Sequence, residues 1–182
     1  LDAHKGYQIA FHLEHAAPWL PGSFGYSAVS GDARHYLPLG VRLVVANRVQ
    51  VGAIIPSNDD QTNVPFSKKY FLGGATTIRG WGRFEVSPLL DGVPIGGISL
   101  FAMTSELRAE VTRSAGNVWA ETGHLPLDEL QYAAGAGLRY GTPVGPIRFD
   151  VGYQLTSIGG LKVDGQPQPR PWRLHFSIGQ AF

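Results

Sequence analysis

The chain contains no cysteine. Disulfide scaffolds, thiol nucleophiles and cysteine-based zinc sites are thereby excluded, and the absence fits an envelope protein. Charge is also scarce. Asp, Glu, Lys and Arg make up 16% of the 182 residues, against roughly 25% in an ordinary soluble domain. The formal net charge of +1 gives no electrostatic footprint for nucleic acid, so no nucleic-acid partner is expected. No stretch approaches the length of apolar sequence that a transmembrane helix needs. The six histidines, at positions 4, 12, 15, 35, 124 and 175, show neither H-x-x-x-H nor H-E-x-x-H spacing, so no metal and no cofactor is expected. Ser, Asp and His occur without a G-x-S-x-G elbow, and "GGATTIRG" lacks the Lys-Ser/Thr of a phosphate loop; an enzyme is not expected. The chain begins at Leu1 with no signal peptide in view, as a processed product or an excised piece would.

What is abundant is glycine (24 residues), aromatic residues (11%) and strict alternation. In "PWRLHFSIGQAF" the apolar Trp172, Leu174, Phe176, Ile178 and Phe182 alternate with Arg173, His175, Ser177, Gly179 and Ala181; Gln180 is the exception. "PIRFDVGYQL" sets Ile147, Phe149, Val151, Tyr153 and Leu155 against Arg148, Asp150, Gly152 and Gln154. "LQYAAGAGLRY", "GVRLVVANRVQVGAI" and "YQIAFHLEH" alternate in the same way, and "GISLFAMTSELRAEV" places Phe101, Met103, Leu107, Ala109 and Val111 opposite Thr104, Glu106, Arg108 and Glu110. "FGYSAVSGDARHYL" and "GNVWAETG" have strand composition but mixed faces. The total is about eight strands in an antiparallel meander with short Gly/Pro turns. Two connections are long, at about 56–96 and about 156–170.

The character of the two faces decides the class. A soluble β-sandwich would cover its polar face with Lys and Glu; here that face carries Arg, Gln, Gly and Thr, and the aromatics gather near strand ends. Apolar-out, polar-in alternation with aromatic girdles matches a transmembrane β-barrel better than a sandwich. The expected class is therefore an all-β, antiparallel transmembrane barrel, with residues 1–182 as a single barrel domain.

The long connection contains "FLGGATTIRGWGRFE" (71–85), in which Arg79 sits between Ile78 and Gly80. An arginine in such a Gly-rich loop is by itself no more than a solvated side chain. In chain order, however, "FLGGATTIRGW", "SELRAEV", "GNVWAETG", "GAGLRYGTPVGPIRFDVGYQL" and "HFSIGQAF" resemble the C-terminal half of the outer-membrane assembly barrels, the bacterial surface antigen superfamily that includes BamA and TamA. The likeness in motifs covers roughly 40–182; residues 1–39 fit by strand pattern.

The resemblance implies that the long loop folds back into the barrel, its tip motif falling on Ile78, Arg79, Gly80 and Trp81, with Trp where the family usually has Phe or Tyr. It implies a loop latch in which Arg79 pairs with an acid on the inner wall, at Glu106. A second family acid corresponds to Ser114 here, a departure that Glu110 or Asp150 would have to make good. It also implies a C-terminal assembly signal at Leu174, Phe176, Ile178 and Phe182. Family members have sixteen strands and POTRA domains. The eight strands here would thus be half of a sixteen-strand barrel, with no POTRA domain in residues 1–182, possibly completed by a second copy as a homodimer. Implied partners are the lipid bilayer of the outer membrane, of a bacterium or an organelle of bacterial origin, and client or partner barrel proteins. The implied function is insertion or translocation of outer-membrane proteins without covalent chemistry; the alternatives are a passive pore, a membrane anchor of the patatin-type secretion partners, or a non-functional barrel fragment.

Overall fold

The computed structural model describes the chain except residues 1–2, 4, 18, 20–23, 41–42, 109–110, 124, 141–146, 169 and 179–182, and gives the main chain alone at 111–116, 119 and 139–140. Eight strands form one sheet: β1 (Gly6–Ala16), β2 (Tyr26–Pro38), β3 (Val44–Pro56), β4 (Ser99–Leu107), β5 (Val111–Trp119), β6 (Gln131–Tyr140), β7 (Ile147–Gln154) and β8 (Trp172–Ile178). Every strand pairs antiparallel with its neighbour in the chain, and the order runs linearly from β1 to β8. Among the described residues no strand pairs with the outer edge of β1 or of β8.

The connections are unequal at the two ends. In sequence the links β2–β3 (39–43), β4–β5 (108–110) and β6–β7 (141–146) are short, and the links β1–β2 (17–25), β3–β4 (57–98), β5–β6 (120–130) and β7–β8 (155–171) are longer. Short turns on one side and long loops on the other is the habit of outer-membrane barrels. The longest connection begins with turns of 3-10 helix at Ser57–Asp59, Gln61–Asn63 and Phe66–Lys68 and carries a small ribbon, Leu89–Leu90 with Val93–Pro94. A second ribbon, Lys162–Val163 with Gln166–Pro167, lies between β7 and β8.

Burial on the strands is the reverse of that in a soluble sheet. On β7 the buried residues are Arg148, Asp150, Gly152 and Gln154, and the exposed ones are Phe149, Val151 and Tyr153. On β8, Trp172, Leu174, Phe176 and Ile178 are exposed while Arg173, His175 and Ser177 are half-buried. Tyr7, Ile9, Phe11 and Leu13 of β1 are likewise exposed. Apolar side chains turned outward in alternation gain nothing in water and are stabilised in a bilayer. The mixed faces of β2 also resolve. Its register with β3 puts Asp32, Arg34 and Tyr36 opposite Gln50, Arg48 and Ala46 on the inner face, while small Gly31 and Ala33 face outward, which obscures the period.

One expected strand runs past its true end. The alternation in "GISLFAMTSELRAEV" continues through a hairpin: β4 ends at Leu107, which pairs directly with Val111 at the start of β5. Arg108 leaves the ladder, its amide donating to the Val44 carbonyl at 2.8 Å and its guanidinium lying 5.1 Å from the centre of the Tyr36 ring. A turn this short does not interrupt a polar/apolar alternation, so period alone cannot find it.

The core lies between the inner face of the sheet and the 57–98 loop. Leu72, Ile78, Trp81 and Val86 of the loop pack with Leu100 and Ala102 of β4, Val118 of β5, Ala133 of β6 and Leu161. A second cluster joins Tyr26, Ile54, Val64 and Ile98, and Tyr70 packs against both. Burial of side chains the size of Ile78 and Trp81 contributes about 1.5–3 kcal/mol each.

The outward face yields a test. Val151→Arg, at a position already exposed, would cost nothing in a soluble protein. In a bilayer it is expected to lower stability by about 2–4 kcal/mol, measured as the urea midpoint for folding into lipid vesicles.

Candidate functional site

The site grows from the contact between the loop tip and the inner wall. Thr77 closes the tip on itself: its Oγ1 donates to the Gly73 carbonyl and accepts from the Gly73 amide, both at 2.9 Å. The Gly74 amide donates to the Trp81 carbonyl at 2.9 Å. These bonds thrust residues 78–81 towards the sheet, and all four are buried. Ile78 and Trp81 enter the apolar cluster, and Arg79 reaches between strands.

The Arg79 guanidinium meets acids from two strands. Its Nη2 donates to Oε2 of Glu106 on β4 at 3.0 Å, and its Nε lies 3.7 Å from Oδ2 of Asp150 on β7 while donating to the Ala75 carbonyl at 3.0 Å. A second guanidinium joins them: Arg148 Nη2 is 3.5 Å from Glu106 Oε2 and 3.4 Å from Asp150 Oδ2. Two arginines and two carboxylates thus form a formally neutral cluster, each residue no more than 5% exposed. Removing ions from solvent costs several kcal/mol apiece, repaid only by good geometry and additional hydrogen bonds. Here the charges alternate in sign, so each guanidinium has a carboxylate neighbour.

Backbone seats the tip as much as charge does. A Cβ on Gly152 of β7 would lie 1.8 Å from the Arg79 carbonyl oxygen, and one on Gly80 would lie 2.9 Å from both the Ala133 Cβ and the Gln154 amide nitrogen. Gly80 and Gly152 therefore let two main chains touch. The role of Gly80 is close approach, rather than the tight turn its place in a loop suggests. Gln154 Nε2 then donates to the Gly80 carbonyl at 3.0 Å, and His175 Nε2 of β8 donates to the Arg79 carbonyl at 2.9 Å.

Two further ties flank the tip. Arg48 of β3 bonds Asp32 of β2 through Nε at 2.9 Å and donates through Nη1 to the Thr76 carbonyl at 3.3 Å. Glu85 accepts from the Gly82 amide at 2.7 Å, from Gln168 Nε2 at 3.0 Å and from Arg173 Nη2 of β8 at 2.7 Å. Adjacent strands stand about 4.8 Å apart, so β4 and β8 would be about 19 Å apart on a flat sheet. Arg79 alone joins the two, its guanidinium bonded to Glu106 and its carbonyl to His175.

Of the residues expected from sequence, Ile78, Arg79, Gly80, Trp81 and Glu106 come together in this one place. Ser114 lies opposite Thr104 in the β4–β5 register; the second acid at the cluster is Asp150, and Glu110 lies outside the described residues. Leu174, Phe176 and Ile178 are apart from the cluster, exposed on the outward face of β8, where the Phe176 ring stands 5.0 Å from that of Phe149. Phe182 lies outside the described residues. Sequence reading missed Arg148, Glu85, Arg173, Gln154 and Gly152 as members of the site. Arg148 and Gln154 were findable, since both share the polar face of β7 with Asp150.

The domain model of the Omp85 superfamily matches residues 1–182. The outer membrane protein assembly factor BamA of Nitratidesulfovibrio vulgaris is 25% identical over 181 residues, a match covering 87% of this chain and 22% of that protein. The crystal structure of BamA from Haemophilus ducreyi lacking POTRA domains 1–3 is similar in fold, with a TM-score of 0.65 at 22% identity over 86% of this chain and 36% of that one. The chain thus spans less than half the length of either relative.

Removing the buried guanidinium should matter far more than removing its neighbour. Arg79→Ala leaves Glu106 and Asp150 sharing Arg148 and is expected to lower stability by about 3–5 kcal/mol. Arg83→Ala, at an exposed position, should stay within about 0.5 kcal/mol. Urea unfolding in detergent micelles measures both, and equal small effects would contradict the geometry. Gly152→Ala should displace the tip without touching any charge, visible as faster proteolysis within residues 71–86.

Proposed function

The chain belongs to the Omp85 superfamily of outer-membrane β-barrel proteins, and on that premise we propose that it acts in inserting or translocating other outer-membrane proteins, through strand pairing and local bilayer thinning rather than covalent chemistry. The observation that carries the reading is the buried Arg79–Glu106 pair holding the loop tip against the inner wall of a sheet whose outer face is apolar. In this role Ile78, Arg79, Gly80 and Trp81 are a latch and Glu106 is its partner, with Asp150 supplying the acid that Ser114 does not. The outward row Leu174, Phe176 and Ile178, with Phe182 further along the sequence, is the signal by which the barrel is itself assembled.

Residues 1–182 then form one barrel domain that acts as half of a sixteen-strand barrel. Both edges need strand partners, because unpaired backbone groups cost several kcal/mol each in lipid. Eight further strands supply them, either from the same polypeptide or from a second copy related by a two-fold axis. A passive pore is the weaker reading, since Ile78 and Trp81 fill the inner face that a pore would leave open.

Vesicles carrying the chain with its native flanking segments should accelerate folding of a small test barrel, and Arg79→Ala should slow that reaction about tenfold, equivalent to about 1.4 kcal/mol. Absence of any acceleration by the parent protein would overturn the assembly role. The mass of the 182-residue chain in micelles decides between completions: a dimer supports pairing of two copies, a monomer excludes it.

A further inference from the structure

The 57–98 loop touches more than the wall beneath its tip. At one side, Lys68 Nζ lies 2.7 Å from Oε1 of Glu14, on edge strand β1. At the other, Glu85 is bound at 2.7 Å by Arg173, on edge strand β8. The same loop therefore holds both open edges of the sheet.

The path between these two ties is short and rigid. Lys68 is four residues from Leu72, whose amide and carbonyl bond the carbonyl and amide of Val86 at 3.0 and 3.1 Å. Val86 adjoins Glu85. Between them Tyr70 pairs with Gly97 through amide–carbonyl bonds of 2.8 and 3.0 Å, and packs against both apolar clusters. A fully extended segment of this length plus one strand-to-strand step spans about 18 Å. We infer that the 57–98 loop is a cross-brace, which fixes the distance between the first and last strands of this sheet and hence its curvature, with Lys68–Glu14 and Glu85–Arg173 as its two end ties.

The ties differ in kind. Glu85 and Arg173 have side chains 9% and 21% exposed, and Gln168 and the Gly82 amide also hold the carboxylate. Lys68 and Glu14 are 46% and 29% exposed, although the Tyr26 hydroxyl also donates to Glu14. Salt screens exposed pairs far more than buried ones. The β1 tie is therefore the releasable end and the β8 tie the fixed one. The brace requires no client, so it stands or falls separately from the assembly role.

Because the chain has no cysteine, spin labels can be placed uniquely at Leu13→Cys on β1 and Leu174→Cys on β8, both exposed on the outward face. Pulsed electron-spin distance measurement on the chain in micelles then reads the separation of the edges directly. Lys68→Gln and Glu85→Gln should each broaden the distribution, and together they should shift its mean by about one strand spacing, ~5 Å. Molar salt should reproduce the effect of Lys68→Gln in the parent but not that of Glu85→Gln. An unchanged distribution in the double variant would overturn the brace, leaving curvature to the strand ladders alone. Equal broadening by Arg83→Ala, which removes neither tie, would overturn it as well. If Glu85→Gln does not fold, Arg173→Gln, which removes the same tie while leaving Glu85 bonded to Gly82 and Gln168, should broaden the distribution in its place; no broadening would count against the brace.

Discussion

A guanidinium enclosed by protein inside a lipid-embedded wall must be neutralised where it lies, and the inner face of this sheet is arranged around that requirement. Arg79 comes from a loop, Glu106 from β4, and Arg148 and Asp150 from β7. No single element could supply the four. The cluster therefore specifies the position of the loop and the relative placement of strands three steps apart. Apolar packing of Ile78 and Trp81 stabilises the arrangement but would tolerate sliding; alternating charges do not, because a displacement of an ångström or two leaves a buried ion without its counter-ion.

The second carboxylate of the cluster comes from β7. On β5 the register puts Ser114 opposite Thr104, and the carboxylate that meets Arg79 stands on β7 beside Arg148. Asp150 could be accommodated because its register partner on β6 is Gly137, where a Cβ would come within 2.0 Å of Asp150 Oδ1.

Much of this was legible in the sequence, for reasons that also mark the limit. Alternation on β1, β7 and β8 gave their faces correctly because a bilayer demands the apolar side without exception along those strands. It failed at Arg108, where a hairpin preserves the alternation, and on β2, where Gly31 and Ala33 face lipid and tyrosines face inward. The buried tip residues 78–81 stood out through an ordered set of motifs, and Glu106 through its face. Glu85 and Arg173 were not, since their pairing depends on how a loop lies across a curved sheet, and no local pattern records that. The approach of Gly80 to Gly152 was equally hidden, because two glycines many residues apart carry no mutual sign.

The contacts of Arg79 have a consequence in time. Its carboxylate partner on β4 lies 27 residues further along the chain, and the histidine that binds its carbonyl lies 96 residues further along. Contacts of such separation form slowly, because loop closure must precede any return from them. In chain order the tip motif precedes Glu106, Asp150 and His175, which complete its seat. Seating Arg79 therefore requires β4, β7 and β8 to be in place together, which makes it a late event in building this wall.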